Sequence, residues 1–321
     1  MSALDALTSG PGGSIALLIF GLILLGIAGD LVVRGAASLA SRMRIPDMVV
    51  GLTIVAFGTS APELLVALQS ALVGEEAVAL SAVVGSNVAN ILLVLGVPAL
   101  IAGTSCDQPL VRRNYVFMLG ATILLIVLMF LGPIGQREGM ILVGLLLAFI
   151  VISLIRTRGL ESTADVGEVP DMLSGGKTAL FLLLGIAGLP VGAHFTVDGA
   201  LATSDLFGLP KEAVGLVVLA LGTSLPELAA ATAAAFRRES GLIIGSVIGS
   251  NIFNILSIVG ITALVVPLSP GPHMLSVDAW IMIAATLLLG PFAMQRSTIT
   301  RTAGLFFLVL YGAFVYFAFA G

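Results

Sequence analysis

The sequence predicts an all-α polytopic membrane protein: ten transmembrane helices in two inverted five-helix repeats, with broken helices at the repeat interface. Composition gives the first indication. Hydrophobic residues make up 58% of the 321, charged residues only 10%, and mean hydropathy is +1.16. A soluble domain carries about a quarter charged residues. The second is duplication. Gly58-Thr59-Ser60-Ala61-Pro62-Glu63 returns 164 residues later as Gly222-Thr223-Ser224-Leu225-Pro226-Glu227. Gly85-Ser86-Asn87-Val88-Ala89-Asn90 returns at the same offset as Gly249-Ser250-Asn251-Ile252-Phe253-Asn254. The third is the placement of basic residues, which fixes the direction of each copy.

Ten apolar runs are candidates for spans, because crossing a bilayer as helix takes about 20 apolar residues. In the first copy they are Ile15–Val33, Met48–Val73, Ala77–Ala102, Val116–Leu131 and Met140–Ile155. In the second they are Ala179–Val197, Val214–Phe236, Leu242–Pro267, Val277–Ala293 and Ala303–Ala320. Val116–Leu131 is short and is expected to extend at its ends. The runs are continuous, unlike the alternating segments of about ten residues that build membrane barrels. Met1–Gly13 has no basic segment of the signal-peptide kind, so the first run is expected to be a retained span. Residues 159–176 read as a cytoplasmic linker, carrying Glu161, Asp165, Glu168 and Asp171. The first repeat is then residues 1–158 and the second 177–321.

With both termini outside, twelve of the fourteen Lys and Arg residues fall on the inner side. Only Arg137 and Lys211 fall outside, which is the distribution that positive-inside topology demands. Five spans per copy is an odd number, so the second copy enters from the opposite face. The repeats are therefore expected to be related by a two-fold axis in the membrane plane.

That symmetry would bring Glu63 and Glu227 together at one depth. An ionisable residue inside a span marks a functional site. Pro62 and Pro226 lack an N–H and disturb the helix one turn back, beside Gly58 and Gly222. Carboxylates, backbone carbonyls and the Thr and Ser hydroxyls then form an all-oxygen shell. Hard cations favour such a shell, Ca²⁺ taking about 6–8 oxygens. Transition metals would favour His or Cys, which neither motif contains. Ser86 and Asn90 lie four apart and share a helix face, as do Ser250 and Asn254. Asn87 and Asn251 read as adjacent to that face. The plainer alternative is that Gly85-Ser86 and Gly249-Ser250 only let helices pack closely. One register shared by two motifs in two copies argues against it.

The paired motifs resemble the α-repeats of the cation/Ca²⁺ antiporter superfamily, and most of all the prokaryotic sodium/calcium exchangers. The resemblance covers nearly the whole chain. It implies a secondary active antiporter exchanging Na⁺ for Ca²⁺ by alternating access in a prokaryotic inner membrane. It makes Glu63 and Glu227 the central Ca²⁺ ligands, with the carbonyls of Thr59 and Thr223. Ser60, Ser224, Ser86, Ser250 and the carbonyls of Ala56 and Ala220 match Na⁺-ligand positions. Asn90 and Asn254 match the remaining central pair. Some relatives carry Asp at one of these two positions; here both are Asn, leaving two central carboxylates. Spans one and six match a mobile pair in that family.

The same Glu pair would also serve a Ca²⁺/H⁺ antiporter, and K⁺ is a further candidate ion. A passive channel is a weaker alternative, since a tightly ligated site suits a carrier. An intramembrane hydrolase would need a base beside a Ser, and His194 lacks duplicated company. No cofactor is implied, no basic tract suggests nucleic acid, and the lone Cys106 excludes an internal disulfide. A single chain in lipid is expected to suffice. Asp30 with Arg34, and His194 with Asp198, lie i,i+4 and can each pair within one helix.

Overall fold

The computed structural model describes residues 11–157, 173–206 and 224–320. The chain there is helical, with helices bounded as follows. The first half holds α1 (Pro11–Met43), α2 (Asp47–Thr59), α3 (Ala61–Leu72), α4 (Glu76–Ala102), α5 (Val111–Leu131) and α6 (Gln136–Thr157). The second holds α7 (Gly175–Leu206), α8 (Leu225–Phe236), α9 (Ser240–Val265), α10 (Met274–Gln295) and α11 (Arg301–Ala320). Seven of them are long and apolar enough to span a membrane, and α2 with α3 forms an eighth, bent span. The helices overrun the apolar runs read from sequence. The run at Val116 gains a turn back to Val111, because the exposed Arg112 can extend its head to the interface and Arg113 bonds Asn114 and Ser153 within the protein. Of the run Val214–Phe236, residues 214–223 lie outside the described part.

Burial sorts the helices into layers. The most apolar window of α9 is entirely buried and that of α4 is 72% buried, so these two form the centre. The windows of α1 and α7 are 28% and 33% buried, which places them at the rim. On α1, Ile19, Phe20, Ile23 and Ile27 are each at least half exposed, as side chains facing acyl chains should be. The inner faces of α1 and α7 pack backbone to backbone. A Cβ added at Gly192 would stand 2.9 Å from the Leu25 nitrogen, closer than any ordinary contact. Small residues allow that approach in a membrane, where packing replaces the hydrophobic drive. Ser38 and Thr178 bridge the same two helices at 2.8 Å.

Two short pairings join the halves. β1 (Thr104–Ser105) runs antiparallel to β2 (Thr298–Ile299), and Ile134 pairs with Leu268. Adding 164 to Ile134 and subtracting it from Leu268 gives Thr298 and Thr104, so each pairing is the image of the other to within one residue. They flank opposite ends of α5, about 30 Å apart at 1.5 Å per residue.

The polar anchors differ in part from the expectation. Asp30 and Arg34 do pair, at 3.8 Å. The tighter partner of Asp30 is Arg237 at the end of α8, whose Nε is 2.7 Å away. Distance in sequence hid that contact. His194 and Asp198 pair within α7 at 3.4 Å. Cys106 is fully buried, and burial pushes its thiol up to about 12, which leaves it protonated and unreactive.

Glu239, in the connection before α9, is pushed up to about 7 by burial and by the neighbouring Asp47, against the pull of Arg237. A carboxyl that binds its proton more tightly when folded favours the fold at low pH. Its contribution is complete below about 4.5 and is lost as pH rises through about 7. Glu239→Gln should therefore flatten the melting temperature between those limits and raise it above pH 7. An unchanged profile would mean that Glu239 is better solvated than its burial implies.

Candidate ion-binding site

From the serine onward the two Gly-Thr-Ser-x-Pro-Glu stretches build the same local structure; Gly222 and Thr223 lie outside the described residues. Span two stops at Ser60, which leaves helical geometry at φ −84°, ψ 1°, and restarts as α3 with a bend of 41°. Ser224 has the same conformation before α8, at φ −92°, ψ 0°. Proline suits a first helical turn, where its missing N–H is not needed. Pro62 and Pro226 both occupy that turn, and each opens the helix that follows. Glu63 and Glu227 follow in the same first turn. There the unpaired backbone N–H groups and the helix dipole favour negative charge.

The two carboxyl groups come from opposite repeats and meet. Glu63 is 6% exposed and Glu227 4%, and they interact directly. Ser60 donates its hydroxyl to Glu227 Oε1 at 3.3 Å, across the repeats. The Thr59 hydroxyl turns back to the carbonyls of Val55 and Ala56, at 3.1 and 3.3 Å. The Ala56 carbonyl also accepts the Ser60 N–H at 3.0 Å. Ala220 and Thr223 lie outside the described residues.

The second motif closes the other side. Asn254 donates its amide to Ser86 Oγ at 2.9 Å, and Ser86 passes its own proton to the Val83 carbonyl at 3.1 Å. Asn90 donates to Asn251 Oδ1 at 3.4 Å, and Asn251 in turn donates to the Met118 sulfur at 3.5 Å. Asn87 donates to the Val83 carbonyl at 2.8 Å. Asn90 and Asn254 each open a short π-helical stretch, Asn90–Val94 and Asn254–Val259. Such stretches are rare and collect at functional sites.

Once these donors are assigned, a set of buried oxygens has no hydrogen-bond partner among the described residues. Within the motifs they are Glu63 Oε2, Glu227 Oε2, Asn87 Oδ1, Asn90 Oδ1, Asn254 Oδ1, Ser224 Oγ and Ser250 Oγ; Thr104 Oγ1 and Thr262 Oγ1 are unpartnered outside them. A buried polar atom without a partner costs about 1–3 kcal/mol. Two carboxylates in contact add mutual repulsion. A desolvated cation relieves both costs. The residues are of a kind that suits a hard cation as cargo, and Asn87 joins the unpartnered group from which sequence spacing had set it apart.

A family model described as sodium/calcium exchanger protein matches residues 13–155 and 177–320. The chain is 33% identical over 291 residues to the inner membrane protein YrbG of Escherichia coli K12, covering 88% of this chain and 89% of that one. It is 29% identical over 338 residues to the sodium/calcium exchanger MaX1 of Methanosarcina acetivorans, covering 93% and 96%. Its structure superposes on that of the sodium-calcium exchanger NCX_Mj, soaked with Na⁺ and Sr²⁺, with a TM-score of 0.81. That match has 29% identity and covers 96% of this chain and 98% of the other. Matches of this extent, to a transporter family and not to an enzyme, show that the chain belongs to the sodium/calcium exchanger family.

Proposed function

We propose that the chain is a secondary active antiporter that exchanges Na⁺ for Ca²⁺ by alternating access. One observation carries this reading: two buried carboxyl groups interact across the repeats, and the same two motifs and their repeats hold buried neutral oxygens with no partner among the described residues. Two negative charges match one divalent cation. The neutral oxygens complete a shell of the size Ca²⁺ requires, and Na⁺ can compete for them in subsites. Half-loaded, the pair would carry uncompensated charge through a dry site, which is costly. Only fully loaded forms should cross, and that is the requirement of exchange. The named activity of MaX1 and the Na⁺- and Sr²⁺-soaked NCX_Mj structures support the same ions.

In this reading Glu63, Glu227 and the carbonyls of Thr59 and Thr223 hold Ca²⁺. Ser60, Ser224, Ser86, Ser250 and the carbonyls of Ala56 and Ala220 serve Na⁺, and Asn90 and Asn254 complete the centre. Ten spans in two inverted repeats, with both termini outside a prokaryotic inner membrane, are the architecture we infer. The paired images at Thr104–Thr298 and Ile134–Leu268 support inversion, because the operation relating them exchanges the two ends of α5. An axis that does so lies across the helices.

The same carboxyl pair would serve Ca²⁺/H⁺ exchange. Proteoliposomes loaded with Na⁺ should take up radiolabelled Ca²⁺ against Na⁺-free buffer, and a pH gradient alone should not drive uptake. Uptake driven by pH without Na⁺ would replace Na⁺ by H⁺ as the coupling ion. Flux without saturable counterflow would mark a channel.

Ser224 and Ser250 separate the two ions. Each offers a hydroxyl oxygen with no partner among the described residues. Ser224→Ala and Ser250→Ala remove a neutral oxygen, which matters more to Na⁺ than to a doubly charged ion held by two carboxylates. Apparent Na⁺ affinity should fall about 2- to 10-fold, the size of one hydrogen-bond-strength contact, with Ca²⁺ affinity less affected. Equal losses for both ions would refute the assignment.

A further inference from the structure

A second polar region lies away from the carboxyl pair, where α5, α6 and α10 end on the arginine-rich face. A cavity of about 570 Å³ is lined there by Arg112, Arg113 and Arg296, together with Asp107 and Gln108. Its charges do not balance. Asp107 is held by Arg296 at 2.9 Å, which neutralises both. Among the described residues Arg113 finds only neutral acceptors: Asn114 Oδ1 at 2.9 and 3.1 Å, and the Ser153 hydroxyl at 3.2 Å. Its Nη1 is buried and has no partner among the described residues. Beside it, Asn114 is fully buried and its Nδ2 has no partner among the described residues either. Arg156 on α6 adds a further positive charge that repels Arg113. Arg112 is exposed in the same first turn, and no side chain caps that helix end. The helix dipole there is positive too. Both unpartnered atoms at this corner, Arg113 Nη1 and Asn114 Nδ2, are donors, and the net charge of the side chains described there is positive.

The surface below the corner identifies the source of that charge. Val116, Ile123 and Val127 are 52%, 48% and 46% exposed on α5. With Gly120, around which there is open space, they form a stripe at helical spacing that starts one turn below Arg112. Gly120 makes a notch in it. A basic head above a grooved apolar stripe fits a phosphate joined to an acyl chain better than a free anion. We infer that this corner binds the phosphate headgroup of an anionic phospholipid, with one acyl chain lying along Val116, Gly120, Ile123 and Val127. Basic pockets between helix ends on the inner side of a membrane are suited to such headgroups. The unbalanced charge among the described residues favours an anionic over a zwitterionic headgroup.

The experiment uses the full chain, purified from mixed phosphatidylglycerol and phosphatidylcholine, with retained lipid read by native mass spectrometry. Wild type should retain phosphatidylglycerol selectively, and Arg113→Gln should retain it about tenfold less, the effect of losing a charge-assisted hydrogen bond. Arg112→Gln, at an exposed position, should show the same direction and covers the case in which Arg113→Gln fails to fold. Gly120→Leu fills the notch and should lower lipid retention while leaving the basic corner intact. Arg44→Gln, on the same face outside the cavity, should change nothing. Equal retention by wild type and both cavity variants, or an equal loss in Arg44→Gln, overturns the inference. A thermal shift with inorganic phosphate that requires Arg113, without selective lipid retention, overturns the lipid assignment in favour of a soluble phosphate.

Discussion

Glu63→Gln and Glu227→Gln should each abolish Ca²⁺ exchange while leaving a folded protein. Glutamine keeps the length and shape of the side chain and removes its charge. Removing one partner of a buried charge pair costs about 3–5 kcal/mol, which corresponds to a loss of roughly 100-fold or more in apparent Ca²⁺ affinity. The structure gives this test a second readout. In the absence of cation the two carboxyl groups interact inside a buried site. Relieving that contact should leave the melting temperature of ion-free protein unchanged or raised. Ca²⁺ should stabilise wild type, by about 2.7 kcal/mol at a hundred times its Kd, and neither variant. A variant that has lost transport but keeps the Ca²⁺ shift would place the cation elsewhere. Near-normal transport in either variant would remove the pair from the proposed site.

Much of that site was legible because it contradicts its surroundings. A carboxylate and a proline inside an apolar run stand out, and the repeat of the whole pattern at a fixed offset excludes coincidence. What sequence spacing missed has specific physical causes. Asn87 and Asn251 were set aside by pairing residues four apart, yet residues three apart on a helix are also neighbours. Asn87 to Asn90 and Asn251 to Asn254 have that spacing, and the structure joins Asn251 to Asn90 directly. The Met118 sulfur that receives the Asn251 amide carries no signal, since a methionine in a span reads as packing. The π-helical stretches at Asn90 and Asn254 add a residue to one turn without any Gly or Pro to announce it. Asp30 with Arg237 is a tertiary contact between helix ends 207 residues apart. Local periodicity holds no information about which helices become neighbours. The positions of Ala220 and Thr223 rest on the repeat alone.

Gly245→Ala should cost both stability and transport, although it adds only a methyl group. α9 lies against α2 so closely that a Cβ at Gly245 would stand 2.2 Å from the Met48 carbonyl oxygen and 3.0 Å from the Leu52 nitrogen. One turn further, a Cβ at Gly249 would meet the Leu52 carbonyl oxygen at 2.5 Å. These are backbone atoms within a helix. No rotamer change relieves the contact, so the helices must part. Overpacking of this kind typically costs about 1–3 kcal/mol, and the core tolerates little displacement because it is packed at crystal-like density. The consequence for transport follows from what α2 carries. Its far end holds Ala56 and Thr59, and Ser60 lies just beyond, donating to Glu227. Moving α2 away from α9 moves one side of the proposed cation shell away from the other. Gly144 supplies the control, since a Cβ there meets nothing within 4 Å. Gly144→Ala should be neutral or stabilising, by about 0.5–1 kcal/mol, because alanine loses less freedom in a helix than glycine. Gly245→Ala should lower the melting temperature and reduce Ca²⁺ uptake by more than the fall in folded protein explains. Gly245→Leu should yield no active transporter. Wild-type melting and uptake in Gly245→Ala would mean that α2 is not seated on α9 through this glycine.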